Sequence, residues 1–412
     1  MDTNKFDFSQ RNAAIDILRA LTVWLMIFVN DFWSVNDVPQ WMKHAARDVD
    51  FLGLADVVFP IFLFAVGMSI PFAIENRFRK GFSELSTVGH ILSRSFVLLV
   101  MGAFTVTSEG NISQEIGITM HDFKVLMVIG FFMVWNVYPK TDKPIRHLYT
   151  ILQVIGILIL IYIAFIFRNK DGGYINARWW GILGIIGWTY LVCAFIYLFA
   201  RNKKQSATEN KFTSVIPVVF YFWLGFLIFS MCKSSQLIPR EPNLINDFTR
   251  LLRIGSENVL TMGGVLFSLV IAKYSHVTVR KKIIFIVSTV VVLLIIARIS
   301  NEFWIISKNR CTPPWLLYCT AITIGTYGLL HWIVSMGGAK WFNIIKAGGT
   351  ATLSCYVMPY FLQSIFYGYL SFIVLPDWAK TGIPGLIKCA LWALLCILIT
   401  ALLERFKVKL KI

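Results

Sequence analysis

The sequence predicts an all-α integral membrane protein, a polytopic bundle of about 12 (10–12) transmembrane helices with both termini cytoplasmic. Three observations lead there. Of 412 residues, 57% are hydrophobic and only 15% charged, with a mean hydropathy of +0.67. A water-soluble domain carries roughly a quarter charged residues and has no interior large enough to hide so much apolar surface. Apolar runs close to the roughly 20 residues that a bilayer crossing requires recur along the whole chain. The cations gather in alternate loops between those runs.

The runs lie at 15–35, 54–74, 95–108, 124–138, 147–167, 181–200, 213–232, 258–275, 283–300, 315–334, 348–373 and 385–403. The fourth, about 15 residues long, is the weakest as a crossing, and a re-entrant or tilted segment fits it. No soluble insertion separates them, so residues 1–412 read as a single transmembrane domain, with a first helical hairpin over 15–75. The first run, starting near Ile15, is followed by no small-residue cleavage signal and is expected to be a retained span.

With the N-terminus inside, 24 of the 39 Lys and Arg fall in inner segments and 15 in outer ones. That asymmetry orients the spans. The net charge of +17 would suggest nucleic acid in a soluble protein. Here it is spent on topology, and no nucleic-acid partner is expected. The seven cysteines show no CxxC and no metal-ligand spacing, so they read as small apolar residues, with neither disulfides nor a metal implied.

The first hairpin carries the chemistry. Asn30 lies about 22 Å along the first span from Ile15, at 1.5 Å per residue. Asp56, at the start of the second span, sits at a similar depth, and His44 lies in the loop that joins them. An amide, a carboxylate and an imidazole can therefore converge at the outer mouth of the bundle, where polar groups are costly unless paired. Each also has a plainer reading. Asn30 can cap its helix, Asp56 can complement the helix dipole, and a lone loop histidine is often just an interfacial side chain.

These residues belong to a longer pattern. Asp16 and Arg19 open the first span, Asn30 ends it, and His44-Ala45 follows. The segment LADVVFPIFLFAVGMSI then runs through Asp56, Phe59, Pro60, Phe64, Gly67 and Ser69. Together they resemble the heparan-α-glucosaminide N-acetyltransferase family of membrane acyltransferases. A later segment, ISKNRCTPPW, is similar to a second family stretch through Ser307, Lys308, Asn309, Thr312 and Trp315. The chain departs from the family pattern at Ala20, at VLMVIG (Val125 to Gly130) and at GTATLS (Gly349 to Ser354).

The resemblance implies transfer of an acetyl group from cytosolic acetyl-CoA to an amino sugar or related glycan across the membrane, with His44 as the essential catalytic group. A neutral imidazole, with a reference pKa of about 6.5, suits removal of a proton from an amine attacking a thioester. Asp56 would hold its tautomer and Asn30 would donate to the oxyanion. Arg19 and Arg94 are the expected cations for the coenzyme A phosphates, although Arg19 can instead pair with Asp16 at i, i+3. Lys308, Asn309 and Trp315 are the expected acceptor contacts. Expected partners are acetyl-CoA, the glycan acceptor, the lipid bilayer and a second copy of the chain. With no organelle signal in view, the location expected is a bacterial cytoplasmic membrane, with the His44 loop periplasmic. The competing readings are a sugar or glycan transporter and an O-acyltransferase of surface polysaccharide.

Overall fold

The computed structural model describes residues 13–113, 117–139, 145–177, 180–201, 214–238, 255–275, 277–370, 372 and 376–411. Of the cation-bearing inner segments expected to orient the chain, the start and those at 139–147 and 201–212 lie wholly or partly outside them. Among the described residues the architecture is helical, with no named β-strand. The helices are α1 (Ala13–Asn30), α2 (Leu54–Arg79), α3 (Glu84–Ser108), α4 (Met120–Trp135), α5 (Ile145–Ile166), α6 (Gly181–Ala200) and α7 (Val215–Ser234). They continue with α8 (Ser256–Lys273), α9 (Val279–Asn301), α10 (Pro313–Ser335), α11 (Thr352–Gln363) and α12 (Gly382–Arg405).

Nine of these are long and apolar enough to cross a membrane among the described residues, which makes the chain an integral membrane protein: α1 with its following turn, α2, α3, α5, α6, α7, α9, α10 and α12. Three of the twelve expected crossings do not reach that standard. The run at 124–138 becomes α4, whose 16 residues make a rod of about 24 Å, short of the roughly 30 Å hydrocarbon core. The run at 258–275 becomes α8, which carries Ser256, Glu257, Asn258, Thr261 and Ser268 and buries nearly every side chain. Because it faces protein, it need not be apolar. The run at 348–373 is broken into a short helix Lys346–Thr350, α11 with Pro359 inside it, and a π-helical turn Ser364–Tyr369. Pro359 removes a backbone donor, and the wider turn follows it.

The chain forms two compact units. The first holds residues up to Thr22 with Pro39–Ser95 and Ile186–Trp341; the second holds Val23–Val38, Phe96–Ile185 and Phe342–Ile412. In the first, α2 and α8 cross at backbone contact. A Cβ on Gly67 would lie 1.9 Å from the Thr261 carbonyl oxygen, and one on Gly264 would lie 2.0 Å from that of Phe64. Lipid chains are as apolar as leucine, so such close van der Waals approach between small residues is what holds membrane helices together. Phe64, Phe267 and Tyr327 pack tilted and edge-on around the crossing, at 5.9 and 5.3 Å between successive ring centroids.

In the second unit Gly130 of α4 and Gly156 of α5 face each other in the same manner, each within 3.4 Å of the other's carbonyl oxygen once a Cβ is added. Helix starts follow from capping chemistry. Thr119 accepts from the Asp122 N–H at 3.2 Å while Asp122 accepts from the Thr119 N–H at 2.8 Å, and Pro313-Pro314 open α10. Ile151, Leu158 and Phe165 on α5, and Ile284, Val287 and Val291 on α9, are exposed apolar surface of the kind a bilayer covers.

Gly264→Ala should destabilise the detergent-solubilised protein by about 1–3 kcal/mol or more, the usual cost of forcing atoms into a packed interior. Gly225→Ala on α7, where a Cβ meets nothing within 4 Å, should be neutral or stabilising by up to about 1 kcal/mol. Thermal unfolding of the two variants beside the parent measures both. Equal melting temperatures would refute the crossing as a constraint.

Candidate active site

The site grows from the first turn of α2. Gly53 is the residue before that helix, and a Cβ there would lie 1.9 Å from the Lys43 carbonyl oxygen, so the incoming loop can press against the helix start only because the residue is glycine. Three residues on, Asp56 turns its carboxylate back. Its Oδ2 accepts from the Ala45 N–H at 2.8 Å and the Gly53 N–H at 3.3 Å, and its Oδ1 accepts from His44 Nδ1 at 2.7 Å. The Asp56 side chain is 2% exposed. A buried carboxylate survives where donors and a helix N-terminus stabilise its charge, and here both do.

The bond to His44 sets the imidazole's chemistry. An ionised carboxylate only accepts, so Nδ1 carries the proton and Nε2 is left with its lone pair. The side chain is 51% exposed, so the ring is open to a reacting group. This is the geometry of a base held by an orienting carboxylate. Lys308 brings its Nζ to 3.4 Å from the same Nδ1. Burial pushes the Lys308 ammonium below the usual lysine range, and the Asp56 charge opposes the shift in part.

Several expected residues meet here. His44, Asp56, Lys308 and Asn309 share the first unit, and the Asn309 Nδ2 lies 3.5 Å from the Ala45 carbonyl oxygen. Trp315 also belongs to the cluster, in a different capacity from the sugar platform expected of it. Its indole is 2% exposed and its Nε1–H donates to the Asp56 carbonyl oxygen at 3.1 Å. Trp315 therefore ties α10 to the start of α2.

The other expected residues have different described surroundings. Asn30 is the exposed last residue of α1 and falls in the second unit. Arg19 lies 3.9 Å from Asp16, the i, i+3 pairing that was its plainer reading. Arg94 stacks its guanidinium over the Tyr190 ring at 4.6 Å, and its buried Nε has no hydrogen-bond acceptor among the described residues.

Two groups of polar residues escaped the reading of the sequence. One is the strap Arg47–Asp50, which engages the turn around Lys308. The other, in the second unit, is an ion pair between buried Asp31 and Lys388 of α12 at 3.2 Å, with the Gln363 Nε2 3.4 Å from Asp31 Oδ1 and Ser34 bonded to Lys388. The available signal was two charges of opposite sign, each inside an apolar run.

Comparisons with known proteins add the following. A family profile described as a domain of unknown function, DUF5009, matches residues 11–204, which include Arg19, Asn30, His44, Asp56 and Arg94. The chain is 30% identical over 150 residues to the heparan-alpha-glucosaminide N-acetyltransferase of Mus musculus, a match covering 32% of this chain and 21% of that protein. It is 33% identical over 100 residues to the protein of the same name from Homo sapiens, covering 23% of this chain and 14% of that one. The chain thus spans about a fifth or less of the length of these relatives, and the likeness is to heparan-alpha-glucosaminide N-acetyltransferases at the level of a distant relationship.

Proposed function

We propose that the protein is a transmembrane acyltransferase that moves an acetyl group from cytosolic acetyl-CoA to an amino sugar of the glucosamine type, or a related glycan, on the periplasmic side of a bacterial cytoplasmic membrane. The observation that carries the reading is the His44 Nδ1 to Asp56 contact at 2.7 Å on a half-exposed ring. In the proposed reaction the acceptor amine attacks the thioester carbon, and Nε2 of His44 takes the proton that the amine sheds. The C–S bond breaks, coenzyme A leaves as thiolate, and the imidazolium returns its proton to that sulfur or to water. Asp56 stays ionised throughout and steadies the imidazolium.

The partial likeness to heparan-alpha-glucosaminide N-acetyltransferases supports acetyl-CoA as donor and an amino sugar as acceptor. Lys308 and Asn309, on the loop beside His44, are the proposed acceptor contacts. For the donor's phosphates we propose Arg94, whose stacked guanidinium retains a buried Nε–H without an acceptor among the described residues, and Arg19 as a second cation. The whole chain acts as the transferase domain in this proposal, and the 15–75 hairpin supplies its base.

Purified protein should bind acetyl-CoA by calorimetry and acetylate glucosamine, with intersecting double-reciprocal lines if donor and acceptor react directly. His44→Ala should fold, bind acetyl-CoA and lose at least about a hundredfold in turnover, the scale of a lost general base. Asp56→Asn should lose a comparable factor, because a carboxamide can donate to Nδ1 and leave the proton on Nε2. The double variant should be little worse than either single one, since the two groups act as a unit. Undiminished turnover in His44→Ala would exclude the mechanism. Lys308 should become reactive towards a trace amine reagent at a lower pH than exposed lysines, whose reference pKa is about 10.4. Its lowered pKa means it sheds its proton first as pH rises. Mass-spectrometric labelling across a pH series reads this directly, and co-titration with the exposed lysines would contradict it.

A further inference from the structure

His44 and Asp56 are joined by a loop with little regular structure, and half of the imidazole faces out of the protein. The carboxylate fixes one edge of the ring, but something must also hold the loop that carries it. The described contacts supply an answer on the far side of the loop. Residues 47–50 lie as a strap across the turn that bears Lys308. The Ser307 hydroxyl donates to the Arg47 carbonyl at 2.7 Å, and the Arg310 Nε–H donates to Asp48 Oδ1 at 2.9 Å. Asp50 does the most, because its two oxygens engage different elements. Oδ1 accepts from the Ile306 N–H at 2.7 Å, and Oδ2 lies 3.3 Å from the Nδ2 of Asn301, the last residue of α9.

The turn on the other side is itself well defined. The Ser307 N–H donates to Thr312 Oγ1 at 3.0 Å, the Cys311 N–H donates to the Lys308 carbonyl at 3.0 Å, and the Thr312 N–H donates to the Ser307 carbonyl at 3.2 Å. Pro313-Pro314 then start α10 immediately. The strap is thus fastened to a rigid partner whose position is set by two long helices. The Asp48–Arg310 pair is exposed on both sides and contributes little by itself. The Asp50 bond to a backbone N–H is charge-assisted, short, and reaches an atom that no rotamer can move away.

We propose that Asp50 is a positioning residue for the reaction assigned to His44. By joining the strap to Ile306 and to the end of α9, it holds the His44 loop and the Lys308 turn in one fixed arrangement. This rests on the acyltransfer reading for its kinetic consequence and on the hydrogen bonds alone for its structural one. Misplacing a catalytic group by about 1 Å costs on the order of a hundredfold in rate, so a loosened strap should be felt in turnover more than in binding.

The test uses the full chain in detergent. Asp50→Ala should lower kcat for acetyl transfer to glucosamine by about 10- to 100-fold, leave KM for acetyl-CoA within about twofold, and raise deuterium uptake in 43–50 and 305–311 together. Asp50→Asn keeps an oxygen for the Ile306 N–H, and should restore kcat to within about threefold of the parent and restore exchange protection. The proposal is overturned if Asp50→Ala retains parental kcat, if Asp50→Asn is as impaired as Asp50→Ala, or if the two segments fail to loosen together. A parent protein that transfers no acetyl group defeats the acyltransfer reading instead, and the exchange measurement then decides the strap alone.

Discussion

The Asp56 carboxylate is the constraint from which the rest of the site follows. A charged carboxylate moved out of water costs several kcal/mol even after relaxation, unless donors replace the lost hydration. Three donors do so: the His44 ring, the Ala45 N–H and the Gly53 N–H. Each has a structural consequence. The Gly53 bond starts α2, the Ala45 bond draws the loop over the helix end, and the His44 bond selects the ring tautomer. The Asp56 main chain contributes as well, because its carbonyl accepts from Trp315 and so docks α10 on the same helix start. Charge-assisted bonds of this kind contribute about 1.5–3 kcal/mol each, enough together to hold the carboxylate ionised in place.

That small polar centre sits on helices packed by a different force. Between spans, lipid removes the hydrophobic drive, and contact falls to close backbone approach at small residues. Gly67 and Gly264 provide it where α2 meets α8. Polar α8 is tolerated because it is enclosed by protein, which is why an 18-residue helix bearing Glu257 and Asn258 occupies the interior of an apolar chain. The result is the common division of labour in which a stiff scaffold presents short functional loops at its helix ends.

A second buried carboxylate, Asp31, shows the contrasting solution. It is neutralised by a full countercharge, Lys388, with help from Gln363, and it belongs to the second unit. Removing one member of such a pair leaves an uncompensated buried charge, whereas Asp56 spreads its charge over neutral donors and one imidazole. Spreading leaves Asp56 bonded to an imidazole held in one tautomer, and pairing with lysine does not.

Composition and the recurrence of apolar runs determined the membrane class, because lipid imposes length and hydropathy on every crossing whatever its neighbours are. The meeting of His44 with Asp56 was also legible, since Asp56 is local to the helix it starts and His44 lies only twelve residues before it. What needed the tertiary structure were the facts set by distant partners. These include the enclosure of α8, the burial of Trp315 against Asp56, and the fastening of Asp50 to Ile306. Helix periods and motif spacing constrain neighbours along the chain. Which surfaces are covered is decided by segments hundreds of residues away, and only their packing reveals whether a polar side chain reaches a ligand or another part of the protein.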